Sequence, residues 1–255
     1  MKRLLLPLFL LVAGSLGVLA APAPIPADAI GNYRWVDLQG RPNPIGDGGR
    51  FVGFVQETNP VGTGFKYETY FWCVDSQLTT GVNDNSYANL HLLSQLPSAQ
   101  ARYGNDPTWT NNSGFLAGIT ESQDRFAMAA WLIGNYNYAG DAHDLNIQKA
   151  IWAIIHNNTQ GGGHSAISGD ANTFGTIAYW VKQAADNFSS VDLTKWAVVS
   201  WTAASNGNLS SGKQTFLVQV VPEPGFYAAL ALGLFGVFFY TWRRRQSVDG
   251  IQTSA

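Results

Sequence analysis

The stretch FWCVDS, Phe71 to Ser76, carries the one cysteine in a chain of 255 residues. A thiolate is a strong nucleophile and a metal ligand, and a lone cysteine has no internal disulfide to enter. The four histidines, His91, His143, His156 and His164, show no metal-ligand spacing and read as solvated or capping residues. GVNDNS at 81–86 offers oxygen ligands without the spacing or the closing glutamate of a calcium loop. Gly163 and Ser165 come close to a nucleophile elbow, but Ile167 stands at the closing position and no strand leads in. These exclusions predict no metal, no cofactor and no enzyme activity. What remains beside Cys73 is Gln148, in IQKAIW at 147–152. At helical spacing Gln148 falls at the edge of the stripe made by Ile147, Ile151 and Ile155, shaded by Trp152. A carboxamide there is costly unless another group engages it.

The elements that must position these two residues follow from periodicity. From Asn32 to about Asp75 the chain is β-like: RFVGFVQ at 50–56 and KYETYFWCVD at 66–75 are rich in aromatic and β-branched residues, separated by the turn-forming NPVGTG. Cys73 then lies at a strand end. The stretch 78–118 reads as loop, with one short helix near Tyr87–Leu96. Three helical patterns follow. The first has a capping box from Thr120 and Gln123 and an apolar face of Phe126, Ala129, Ala130 and Ile133. The second begins near Asp144 and carries Gln148. The third covers about Asp170 to Phe188, with Phe174, Ile177, Ala178, Val181, Ala185 and Phe188 on one side. WAVVSWTA at 196–203 and QTFLVQVV at 214–221 return to strands, the latter alternating Phe216, Val218 and Val220. The order predicts an α+β fold: a β-strand framework with an inserted group of about three helices.

FWCVD around Cys73, and IQKAIW following a helix with AAWL, resemble the two signatures of bacterial thioester domains, over roughly residues 32–221. There a cysteine in a C-V/I-D motif joins a glutamine in a TQxAxW motif. The resemblance implies that Cys73 supplies the sulfur and Gln148 the acyl group of an internal thioester, with Asp75 and Trp152 in support. An amine, typically a lysine, then takes the acyl group and frees the thiol, so the protein acts once as a covalent adhesin. The family's threonine before the glutamine is Ile147 here, which removes a hydroxyl that could orient the carboxamide. Two alternatives stay open: a structural thioester, which by analogy with a disulfide would add about 4 kcal/mol of chain-entropy stabilisation, and an unlinked cysteine buried as a small hydrophobe.

The ends are directive. Met1, Lys2 and Arg3, an apolar run from Leu4 to Leu19, and small residues at Val18 and Ala20 read as a signal peptide, residues 1–20, cut after Ala20 by signal peptidase. Residues 21–221 form the exported domain. VPEPG at 221–225, the uncharged run 225–242, and Arg243, Arg244 and Arg245 are similar to the PEP-CTERM sorting signal of Gram-negative bacteria. The run predicts a transmembrane helix across the inner membrane, with the arginines as a cytoplasmic stop and 246–255 as a short cytoplasmic tail. The resemblance implies processing near Pro222, Glu223 and Pro224 by exosortase, a membrane protease and transferase often associated with exopolysaccharide systems.

Between the ends, ten Lys and Arg stand against fifteen Asp and Glu with no basic cluster, which argues against a nucleic-acid partner. The expectation is an exported cell-surface or extracellular-matrix protein, an adhesin or a biofilm or exopolysaccharide component, that meets an amine-bearing surface ligand or exopolysaccharide. A membrane-anchored secreted hydrolase is the alternative from another class.

Overall fold

The computed structural model describes residues 22–42, 48–57, 64–75, 80–98, 114–119, 121–156, 167–202 and 213–221. Seven strands form: β1 (Ile25–Pro26), β2 (Gly31–Gly40), β3 (Arg50–Gln56), β4 (Lys66–Cys73), β5 (Asn85–Leu92), β6 (Trp196–Trp201) and β7 (Phe216–Val221). Three α-helices lie between β5 and β6: α1 (Ser122–Ile133), α2 (Ala142–Ile155) and α3 (Ile177–Asn187).

The α+β framework with a C-terminal transmembrane helix is corrected. The strands run in the order β7-β4-β3-β2-β5-β6, and β6 pairs again with β7, so six antiparallel strands close into a barrel. Alternating apolar residues announce strands but not which distant strands meet, and closure rests on β4–β7 and β5–β6, pairings between segments far apart in the chain. Closure leaves none of the six with an open edge. Gly53 permits the tightest part of the wall, since a Cβ there would lie 2.3 Å from the Asp37 carbonyl oxygen, next to the register shift in β2. β1 adds in parallel to β7, with Ile25 opposite Val220 and Pro26 opposite Val221. Among the described residues no helix is long and apolar enough to cross a membrane. The predicted span 225–242 lies outside the described residues, as do the signal segment 1–20, Gly163–Ser165 and the tail 246–255.

Two apolar cores result. Inward residues of the strands, among them Phe51, Phe71, Val199, Trp201, Phe216, Val218 and Val220, fill the barrel. The ring of Phe216 lies 5.4 Å from Phe51 and 6.4 Å from Trp201, both edge-on. The alternate residues Trp72, Val74, Trp196, Val198 and Leu217 face outward onto the helices, where Phe126, Met128, Ile147, Ile151, Ile154, Ile155 and Val181 cover them. Removing each such large side chain from water contributes about 1.5–3 kcal/mol.

Several local expectations are revised. The stretch from Tyr87 is strand β5 up to Leu92, and a 3₁₀ turn, Leu93–Ser98, follows. No side chain caps α1, whose N-cap is Glu121; Gln123 instead donates from Nε2 to the Leu93 carbonyl, and Thr120 lies outside the described residues. α2 starts earlier than Asp144 because the Asp141 carboxylate accepts from the His143 and Asp144 amides. α3 is shorter than expected: turns occupy 171–176, Thr176 caps the helix from the Tyr179 amide, and Phe174 is 68% exposed.

Candidate functional site: the seam between barrel and helices

Cys73 ends β4 with its side chain turned into the barrel, whereas its neighbours Trp72 and Val74 face the helices. α2 runs past this strand end. Its isoleucines pack in the helical layer, but Trp152, one turn after Gln148, inserts into the barrel core beside Cys73. Cys73, Asp75, Gln148 and Trp152, named from sequence, therefore come together at the seam. All are buried, Cys73 and Asp75 completely and Gln148 to within 1%.

The Gln148 carboxamide is held from three sides. Its Oε1 accepts from the Gly49 amide at 2.8 Å and from the Tyr136 hydroxyl at 2.7 Å, and its Nε2 donates to the Cys73 carbonyl at 3.0 Å. A backbone N–H must meet oxygen and a backbone carbonyl must meet the NH₂, so this frame fixes which end of the amide is which. The orientation that Ile147 cannot provide through a hydroxyl comes instead from Gly49, Tyr136 and Cys73 itself.

Two glycines, unremarked in the sequence, make the frame. A Cβ at Gly48 would sit 2.6 Å from Gln148 Cδ and 2.7 Å from Trp152 Cζ2, so only glycine admits the carboxamide. Gly49 has φ +92°, which aims its amide at Oε1, and its carbonyl accepts from the Cys73 amide at 2.9 Å. Tyr136 lies in the turn between α1 and α2. The buried Asp144 carboxylate holds that turn by accepting from the Asn137 and Gly140 amides, and Tyr138, stacked on Tyr136, accepts from Trp72 Nε1 at 2.8 Å.

The electrostatics are those of a dry pocket. Burial pushes the Cys73 thiol from 9.0 up to about 12; the Asp75 carboxylate adds to the rise, and hydrogen bonds from the Asp75 backbone and the Trp152 indole oppose it. Cys73 Sγ lies 3.3 Å from the Asp75 carbonyl oxygen. Burial, with Cys73 as the next cause, raises Tyr136 well above 10, so its hydroxyl keeps the proton it donates. His156, expected on the surface or in a cap, does end α2 but is buried, with Nε2 3.4 Å from Asp75 Oδ1. Gly48, Gly49, Tyr136 and His156 thus join the site without having been legible as members. The GDGGR run at 46–50 was the one signal that could have pointed to two of them.

This arrangement sets an amide carbonyl against two donors, with a thiol on the strand whose backbone holds the amide nitrogen. Two donors on one carbonyl oxygen can stabilise negative charge there, and the residue whose carbonyl holds the amide nitrogen carries a thiol. Among the described residues no group of three or more His, Cys, Asp and Glu is placed to hold a metal ion.

Residues 220–245 match the family model of the PEP-CTERM protein-sorting motif. The chain is an exported protein that exosortase sorts at the membrane. Of the motif, Pro222, Glu223, Pro224 and Arg243 to Arg245 lie outside the described residues, as does the signal-cleavage position Ala20. No curated protein and no solved structure matches the chain.

Proposed function

We propose that this exosortase-sorted protein forms an internal thioester between Cys73 and Gln148 and uses it once, for covalent attachment to an amine on a surface partner. The reading is supported above all by the two donors on Gln148 Oε1, Gly49 N–H and Tyr136 O–H. Sγ attacks Cδ, the carbonyl oxygen takes up negative charge between those donors, and the C–N bond breaks. The thiol proton leaves with the nitrogen as ammonia, so no oxidant or cofactor is needed. A primary amine later attacks the same carbon, the C–S bond breaks, and the sulfur recovers a proton as the thiol. The protein is consumed and does not turn over, which makes it a binding protein and not an enzyme. An amine-bearing surface ligand, within the cell-surface or exopolysaccharide layer, is the partner class.

The burial of both reacting residues favours a second reading, in which the bond is a cross-link. Closing a loop between positions 75 residues apart would stabilise the fold by about 4 kcal/mol on the chain-entropy argument. The intact mass of the freshly purified chain tests the bond: it should be one ammonia lighter than the sequence, and Cys73→Ala should restore the full mass. Tyr136→Phe should slow the loss of ammonia about 10²-fold, the usual effect of deleting one oxyanion donor. Methylamine separates the two readings, because a reactive bond gains one methylamine and releases one thiol while a cross-link stays inert. A full-mass wild-type chain with a free thiol would reject both.

A further inference from the structure

The polar groups behind Cys73 form a chain that the thioester reading does not by itself use. Gln148 and Trp152 on α2 and His156 at its C-cap follow at intervals of four residues, along one side of the helix. They meet Cys73 and Asp75: Gln148 Nε2 donates to the Cys73 carbonyl, Trp152 lies by the thiol, and His156 Nε2 is 3.4 Å from Asp75 Oδ1. Asp75 in turn meets Cys73, since its carbonyl oxygen lies 3.3 Å from Sγ and also accepts from Gln214 Nε2 at 2.9 Å. The carboxylate and the imidazole are almost wholly buried, 0% and 1% exposed. A charge so placed is retained only where a partner holds it. β4 ends at Cys73, so no further β4 ladder bonds fix Asp75. The contacts that hold it include the Val74 amide bonded to the Thr215 carbonyl, Gln214 and His156.

We infer that His156 is a positioning residue for Cys73: by anchoring the Asp75 carboxylate it fixes the Asp75 carbonyl to which the thiol is bonded, and so the direction from which sulfur meets the Gln148 carbon. The inference rests on the thioester reading for its consequence, but the S–H···O contact it explains does not. His156 touches neither reacting atom in this role. It ties the end of α2 to the strand end, so the glutamine and the cysteine approach along one register.

Two measurements on the full chain test this. In the first, His156→Leu and His156→Gln are followed for loss of ammonia by intact mass. Leucine should slow it by about tenfold to a hundredfold, the scale of a small misplacement of reacting groups, whereas glutamine, which can still donate to Asp75, should recover most of the rate. Unchanged rates in both would overturn the inference while leaving the thioester intact. In the second, Gln148→Leu keeps Cys73 as a thiol, and the S–H stretching band is recorded with and without His156→Gln and His156→Leu. Leucine should move the band toward that of an unbonded thiol and glutamine should not; a band unmoved by leucine overturns the inference. This readout decides even if no ammonia is ever lost. Asp75→Ala, which removes the carboxylate that His156 holds but keeps the backbone carbonyl, serves where His156→Leu does not fold: it should shift the same band, and an unshifted band overturns the inference.

Discussion

The barrel interior and the helical layer are both apolar cores, yet they are built differently. In the barrel most inward side chains come from a period-two pattern on strands hydrogen-bonded to both neighbours. In the layer, helices press their stripes onto the outer face of β4, β6 and β7. Of the three helices only α2 belongs to both, through Trp152 in one core and Ile147, Ile151, Ile154 and Ile155 in the other. The difference teaches where chemistry can sit. Neither core alone has reason to bury a carboxamide, a carboxylate and an imidazole; the seam, where backbone groups at a strand end and a glycine turn point inward, can satisfy them.

The largest test of this division is Trp152→Ala. It should cost about 3–5 kcal/mol in denaturant unfolding, as a buried large-to-small change does, and it should stop ammonia loss as well. Ile154→Ala, confined to the helical layer, should cost about 2–5 kcal/mol yet leave the bond-forming rate nearly unchanged. Equal damage to the rate from both would mean that the two cores are one unit. Next in size is Gly48→Ala. With Gln148 Cδ 2.6 Å from the new Cβ, overpacking should cost about 1–3 kcal/mol and displace the carboxamide, so the intact mass should stay at the full sequence value.

The smallest effect concerns pH. In Gln148→Leu the thiol persists, with its pKa up from 9.0 to about 12 in the folded chain. Above pH 9 the unfolded chain loses that proton while the folded chain keeps it, so the unfolded state binds fewer protons and stability falls as pH rises toward 12. Unfolding midpoints across that window should drop less steeply once Cys73→Ala is added, because one of the groups responsible is gone. Identical slopes would mean that the thiol is not dry, and the seam not closed.

What the sequence made legible divides along the same line. The alternation of Phe216, Val218 and Val220 shows in the barrel core, and RFVGFVQ matches β3 residue for residue. The isoleucine stripe of α2 was readable, and so was the Cys73–Gln148 proximity, because both are written in local spacing or in short motifs. Barrel closure was not, since it depends on β7 finding β4 and on β6 finding β5, far away in the chain. Tyr136 and His156 were missed for a related reason: a tyrosine in a turn and a histidine at a helix end look like surface residues until tertiary packing buries them. Tyr87 to Leu92 shows packing overriding local preference, since pairing with β2 and β6 takes a stretch of mixed propensity into the wall. Gly48 shows the opposite limit, a residue whose importance lies in the atoms it lacks.

The place of β7 has a mechanical consequence. The sorting-motif match begins at residue 220, within β7, so a pull on the segment that follows would enter the domain along β7. That strand is laced on one side to β6 from Phe216 to Gln219 and on the other to β4 and β1. A pull along it loads these hydrogen bonds together, in shear, instead of peeling them one at a time. At the inner end of the loaded strand, Phe216 pairs with Cys73. A force applied there would therefore be delivered to the residue that holds the sulfur.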